Sequence, residues 1–273
     1  MDAESLPYAL DLVAGSGVSL SPEKRAALRA SLLLVLRDYR FEKVRLWGRI
    51  QCIRGAYYIA EGLGSDRFGP RSRLYSLNCV EWSLLPPPTE EMIILTAGLK
   101  GRFQGDPSYE YEPYEKKIDE DRPYDEESPL VKEEIRLVAA VDQIDKAVGI
   151  VPRGAYVKTP LGPVHENRNF EGLSLTEAKK LSSYFHFTEP VKLKNKSLLE
   201  KADLDPATDF LDSLEHDIPK GSWSIQLERG GSLVVLRSLL WLGLTFYHVP
   251  LTKQHGYIYY GTGEKNIDLP FML

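Results

Sequence analysis

The chain has 273 residues, 43% of them hydrophobic, with a formal net charge of −5 and two cysteines. That length can bury one substantial core or two smaller ones, and the composition excludes a fibrous or globally disordered chain. An acidic chain without a basic stripe argues against nucleic acid, and two isolated cysteines, Cys52 and Cys79, exclude a disulfide framework or zinc site and suit a reducing compartment.

The opening residues, MDAESLPYALDLV, carry acids where a secretory or mitochondrial signal carries positive charge. No apolar run approaches the roughly 20 residues needed to cross a bilayer. The expected location is therefore cytosol or cytoskeleton, with no membrane contact, and Asn195-Lys196-Ser197 has no meaning as a glycosylation acceptor. Leu6, Ala9, Leu10 and Val13 recur at helical spacing and stop at Gly15. Ser21-Pro22-Glu23 supplies an N-cap, a first-turn proline and an early acid for a longer helix, whose face is Leu28, Leu32, Val35 and Tyr39. Residues 1–42 thus read as a helical segment, two helices joined by a Gly-Ser turn.

From Val44 the period becomes that of strands. VRLWGRIQCI and AYYIAEGL flank Arg54-Gly55, and LYSLNCVEWSLLP adds a third run before three prolines, so residues 43–105 read as a small antiparallel β region. Cys52 and Cys79 fall in these predicted strands without a local activator, which predicts buried structural thiols. Trp47, Arg49, Tyr57 and Tyr58 belong to the same pattern and are expected in the core rather than at an interface.

Residues 106–134 hold 12 acidic and 4 basic side chains, a balance of −8 that leaves the rest of the chain at +3. With few aliphatics and no helical period, this stretch reads as an acidic, flexible surface excursion. Its tyrosines, at 109, 111, 114 and 124, suit contact with a basic partner. That supplies an alternative function, a cytosolic protein-binding module working through this arm.

Residues 135–273 read as an α+β region forming one compact fold with 43–105. Over 135–151, Leu137, Val141, Ile144 and Val148 fit a helix, while the Val/Ile content and the Asp145-Lys146 break fit a hairpin. Ser174-Leu-Thr-Glu177 is a capping box that predicts a helix with Leu175, Ala178, Leu181 and Phe185 inside, and Asp205-Pro206 opens another to Leu214. Ser222 to Glu228 and Leu233 to Leu240 flank Arg229-Gly-Gly231, a hairpin whose second arm, apolar on both faces, belongs in the middle of a sheet. Tyr257 to Tyr260 predicts a strand, with Gly-Thr-Gly-Glu-Lys-Asn at 261–266 as the turn of a hairpin. The same stretch, GYIYYGTGEKN, has the glycine spacing of a phosphate loop, but Thr262 stands where the loop needs Lys, and Lys265 is followed by Asn266. No repeat of fixed period is present. The fold class is α+β: N-terminal helices, antiparallel sheet regions with a C-terminal β-hairpin, and flanking helices.

Chemistry is sparse. Gly172-Leu-Ser174-Leu-Thr176 lacks the second glycine of a nucleophile elbow. His216 lies among Ser213, Glu215 and Asp217, but triad partners arrive from different elements, not from adjacent positions. His165, His186, His248 and His255 lack metal-ligand spacing. Paired carboxylates stay open, because their pairing is spatial. No catalytic, cofactor-binding or metal-ligating residue is assigned.

The runs KVRLWGRI, YYIAEG, LYSLNCVEWSLLP, IVPRGAY, LSLTEAKKLSSYFHF and DSLEHDIPKGSWSIQLERGGSLVVLRSLLWLGLTFYHV closely resemble the radial spoke head protein 9 family, over essentially the whole chain. The WG-x-I, YYI-x-EG, PRGAY, KG-x-WS and RSLLW-x-G elements are similar, more distantly, to the 4 and 6 type. One departure is Leu242, where the family carries proline between Trp241 and Gly243. The resemblance implies a non-enzymatic structural subunit of the radial spoke head in the axoneme of motile cilia and flagella, relaying central-pair contact to the dynein arms. It implies head proteins of the 4/6 type, the MORN-repeat head protein 1 and other spoke components as partners, and no cofactor.

Overall fold

The computed structural model describes residues 1–17, 19–112 and 130–272. Helix α1 (Leu6–Val13) and helix α2 (Pro22–Asp38) form where the apolar spacing places them, and the Ser21 hydroxyl accepts from Lys24 N at 3.4 Å to start the second. Leu28, Leu32 and Val35 are buried, but Tyr39 is 44% exposed. Arg40 takes φ +56° and Phe41 N donates back to Leu36 O, a left-handed stop that swings Tyr39 outward to stack on Phe41.

Strands β1 (Lys43–Gln51), β2 (Ala56–Leu63), β3 (Ser72–Ser76) and β4 (Ser83–Leu84) form a meander, followed by α3 (Glu90–Thr96). The short pair β5 (Glu110–Tyr111) and β6 (Val131–Lys132) leads into α4 (Glu133–Val148), so the region open to two readings is a helix. After it come β7 (Ile150–Pro152), β8 (Tyr156–Lys158), β9 (Val164–Glu166), β10 (Tyr184–His186), α5 (Lys192–Asn195) and α6 (Leu198–Lys201). The chain then builds β11 (Trp223–Glu228), β12 (Leu233–Ser238), β13 (Leu244–His248), β14 (His255–Gly261) and α7 (Leu269–Met272).

The expected small sheet is half of a larger one. Eight strands run in the order β11-β12-β13-β14-β1-β2-β3-β4, antiparallel except where β14 meets β1 in parallel, Gly48 opposite Tyr259. A register shift between Leu46 and Gly48 bends β1 at this junction. On the other side of the bend, Ala3 N donates to Val44 O and Leu46 N to Met1 O, so the first residues extend the ladder where β14 diverges.

Both faces of the sheet are covered, which explains why β2 is buried along its whole length. Leu137, Val141 and Ile144 of α4 pack on Trp47, Tyr57, Val234, Leu236 and Phe246. Helices α1 and α2 set Leu6, Leu10, Leu28 and Leu32 on the opposite face, against Leu46, Tyr58, Leu233 and Val235. Each such fully buried side chain stabilises the fold by roughly 1.5–3 kcal/mol. A third cluster joins Val151, Tyr156, Phe170, Phe185, Phe187 and Phe210.

Several local expectations yield to tertiary pairing. The helix expected from Ser174 is two 3₁₀ turns, Glu177–Lys179 and Leu181–Ser183, with Lys180 extended between them. Ser174 Oγ still accepts from Glu177 N at 3.3 Å, but Tyr184 to His186 pair with β7, and Tyr184 OH folds back onto Ala178 O at 2.7 Å. Asp205 to Leu214 is likewise not a helix: after one turn closed by Asp209 N on Asp205 O, the bidentate Arg153–Asp209 pair and a bridge from Phe185 to Ser213 hold the chain extended. The hairpin partner of β14 is β13, and its turn lies upstream at 249–254. Gly261 ends β14, and residues 262–266 instead lead away from the sheet, with Asn266 N bonded to Leu240 O. Cys52 and Cys79 lie just beyond β1 and β3 rather than in them; both are buried, and burial pushes the Cys52 thiol up to about 11.

The ends of residues 106–134 are fixed rather than free: β5 pairs with β6, and Glu133 and Glu134 open α4. The expected flexibility of 113–129, with Tyr114 and Tyr124, lies outside the described residues.

The Leu242 departure leaves its turn intact. Leu244 N donates to Trp241 O at 3.2 Å, and Gly243 at φ +101° occupies the position where a type II turn needs a left-handed residue. A Cβ on Gly243 would also stand 2.3 Å from Tyr260 O. Proline suits the preceding position of such a turn, and Leu242 is half-exposed with no hydrogen bond from its N–H among the described residues. Leu242→Pro is therefore expected to raise stability by about 0.4–1 kcal/mol through the unfolded state; a lower thermal midpoint for the variant would contradict this turn geometry.

Candidate functional site

Between α4 and the sheet lies a buried ionic cluster. Arg71 Nη1 and Arg73 Nη2 reach Asp145 Oδ2 at 2.8 and 3.0 Å, and Arg73 Nη1 reaches Asp142 Oδ1 at 3.2 Å. Trp47 Nε1 and Tyr257 OH donate to Asp145 Oδ1 at 3.1 and 3.3 Å, and the same phenol reaches Glu61 Oε2 at 3.4 Å. Glu61 Oε1 stands 3.8 and 3.9 Å from the two guanidinium groups, an ionic contact without a hydrogen bond. Burial, with Asp145 beside it, pushes the Glu61 carboxyl up; at Asp145 burial acts the same way, but Arg71 and Arg73 outweigh it and hold the carboxyl low.

Two carboxyls with affinities driven apart are the pattern of an acid–base pair. Here the space between them is filled by Tyr257 and the arginines, and neither lines the surface clefts of 310, 420, 340 and 180 Å³. The arrangement holds: it ties α4 to β1, β2, β3 and β14 through one point.

A second tie closes the base of the acidic segment. Glu133, the first residue of α4 and fully buried, accepts from Gln104 N and Gly105 N at 2.7 Å each, from Asp106 N at 3.1 Å and from Tyr57 OH at 2.7 Å. Tyr111 OH donates to it as well. Above it Arg136 lies over the Phe103 and Tyr111 rings at 4.4 and 5.0 Å. The position at a helix N-terminus favours the negative charge further.

The histidines separate. His216 is exposed, and Ser213 Oγ serves as a cap for Glu215 N rather than as a nucleophile. It is His186 of β10 that meets Asp217, at 2.8 Å, and Trp223 Nε1 donates to the same Asp217 oxygen. Burial pushes the Asp217 carboxyl up, but the bond and charge of His186, then Trp223 and Lys192, outweigh this and leave it below its ordinary range. The other His186 nitrogen has no partner among the described residues. This pair spans 31 positions and left no pattern to find in the sequence. Among the described residues no group of three metal-ligating side chains is present.

His248 sits fully buried, with Nδ1 on Gln254 O at 3.0 Å and Nε2 accepting from Leu173 N at 3.1 Å. Burial pushes its imidazole down to about 4, against a smaller lift from the Gln254 carbonyl. Its contribution is complete above the unfolded value near 6.5. As pH falls from there to about 4, the unfolded chain takes a proton that the folded chain refuses, so stability drops by about 3 kcal/mol at most. Denaturant midpoints across that window are expected to decline, with a shallower slope for His248→Gln; an unchanged slope would assign the decline elsewhere.

Trp47, Tyr57 and Tyr58 lie in the core, and Arg49 is half-buried with its guanidinium 4.7 Å from the Tyr260 ring. Among the surfaces open to contact are the two sheet edges. At one, Leu77, Val80 and Leu84 are exposed around the two-residue β4, and Pro86 to Pro88 follow. At the other, β11 ends the sheet, and Gln226 and Leu227 are exposed while its remaining residues are half-buried.

Over 276 aligned residues the chain is 67% identical to the radial spoke head protein 9 homolog of Homo sapiens, 66% to that of Bos taurus and 64% to that of Mus musculus, with 100% of this chain and of each relative covered. No protein-family profile matches it.

Proposed function

Since this chain belongs to the radial spoke head protein 9 family, we propose that it is a structural, non-catalytic subunit of the radial spoke head in the axoneme of motile cilia and flagella. The observation that carries this is likeness along the full length of this chain and of each relative. The subunit helps to relay contact from the central pair to the dynein arms, and so supports motility. Its partners are other spoke components, among them head proteins of the 4/6 type and the MORN-repeat head protein 1.

The physical requirements of that role are stiffness and interfaces. A sheet covered on both faces and pinned by Asp145 and Glu133 resists shear, because each pin is a buried charge whose partners cannot be given up cheaply. Co-expression with a 4/6-type spoke head protein, followed by light scattering on the eluted peak, tests the reading. A stable peak containing both chains is expected. A chain that elutes alone from that mixture, and that fails to co-sediment with detergent-extracted axonemes, would overturn it.

A further inference from the structure

We propose that the open edge of β11 pairs antiparallel with the same edge of a second copy of this chain, about a two-fold axis at Ile225. The register of β11 on β12 runs from Trp223 opposite Ser238 to Glu228 opposite Leu233, and Leu239 N donates to Ser222 O one step beyond. Bonded pairs alternate along an antiparallel ladder. Ser224, Gln226 and Glu228 therefore direct their backbone groups to β12, while Trp223, Ile225 and Leu227 turn theirs outward. None of those three has another backbone partner among the described residues.

Natural sheets blunt an exposed edge with charge, proline, a bulge or shortness. The β4 edge has two of these devices, being two residues long and soon followed by prolines. The β11 edge has none of these four: its text is WSIQLE, its register is unbroken, and its single charge, Glu228, is neutralised within the chain by Arg237 at 2.9 Å; the 3₁₀ turn Glu177–Lys179 packs near it on the α4 side.

The edge is also complementary to itself. With the axis at Ile225, that residue faces its own copy and Trp223 faces Leu227, so outward-turned groups meet outward-turned groups and each gives and takes a hydrogen bond. Trp223 and Ile225 pack on the α4 side of the sheet, and Leu227 is 44% exposed. Pairing covers Leu227 with the indole of the other copy. On the opposite face Ser224 meets Gln226, and no like charges are brought together.

The test uses the full chain alone, in sedimentation equilibrium over a wide concentration range. The mass is expected to rise from 30.9 kDa toward about twice that value. Ile225→Pro removes the outward N–H at the axis while sparing the β11–β12 bonds, and proline is tolerated on edge strands; it is expected to weaken association at least tenfold. Should circular dichroism show that this variant does not fold, Leu227→Lys, at an exposed position, takes its place with the same expectation. A monomer at every concentration, or a dimer that ignores both substitutions, overturns the proposal. So does a chain that is monomeric alone yet loses a 4/6-type partner on the same substitution, which would give the edge to that partner's strand.

Discussion

Gly48→Ala is expected to cost at least about 3 kcal/mol, a large share of the 5–15 kcal/mol that holds a typical protein folded. A Cβ there would stand 2.1 Å from Tyr259 O and 2.8 Å from Tyr259 N, distances that no side-chain rotation relieves because both atoms are backbone. Neither strand can step aside. β1 is bent by its register shift at this point, Trp47 next to it is tied to Asp145, and its ring lies 5.3 Å from that of Tyr259. The parallel contact of β1 with β14 is also what joins the two halves of the sheet, so displacement would open both cores along one line. A fall in thermal midpoint of roughly 6–12 °C is expected, or loss of soluble protein. A midpoint within a degree of the parent would show that the junction accommodates the methyl group and is not the rigid seam described.

Removing the Glu133 carboxylate is the second large effect. Glu133→Ala leaves three backbone N–H groups and two phenols without their acceptor in a buried site. Breaking such a site from one side costs about 3–5 kcal/mol, because the remaining groups keep their desolvation penalty without compensation. Glu133→Gln, which restores an acceptor but loses the charge and adds donors facing donors, is expected to fall between parent and Ala. Hydrogen exchange identifies the site directly: the amides of Gln104, Gly105 and Asp106 should lose protection ahead of those in β12. Unchanged protection at these three would remove the proposed tie between the acidic segment and the sheet.

Glu133 also shows where reading by composition fails. It stands near the end of a run with a balance of −8 and looks like one more solvated acid, yet it is fully buried. The difference arises from Tyr57 and from the 104–106 backbone, whose approach depends on how β2 and α4 pack. Asp145 is similar. In the sequence it is part of a possible hairpin break; in the fold it receives Trp47 from β1, Arg71 and Arg73 from β3 and its approach, and Tyr257 from β14.

The segment at 174–186 failed for a related reason. Its capping hydroxyl and apolar spacing favour a helix, but summed propensity over so short a stretch is worth little against pairing of β10 with β7 and burial of Tyr184 against Phe246 at 5.4 Å. The two N-terminal helices, by contrast, have caps and an apolar stripe that the sheet face can use as it stands, so local and global preferences agree.

What the sequence determined by itself is therefore the local alphabet: the helices of residues 6–38, the strands β1 to β3, β11, β12 and β14, the Arg229-Gly-Gly231 hairpin and the family, each resting on neighbours in the chain or on long continuous motifs. The tertiary structure alone decided that the two meanders share one sheet, that β1 meets β14 in parallel, and which acids and histidines are buried. Those outcomes depend on contacts between residues as far apart as Gly48 and Tyr259, and a pairing of that span leaves no period in the text: it exists only once both partners have been brought out of water together.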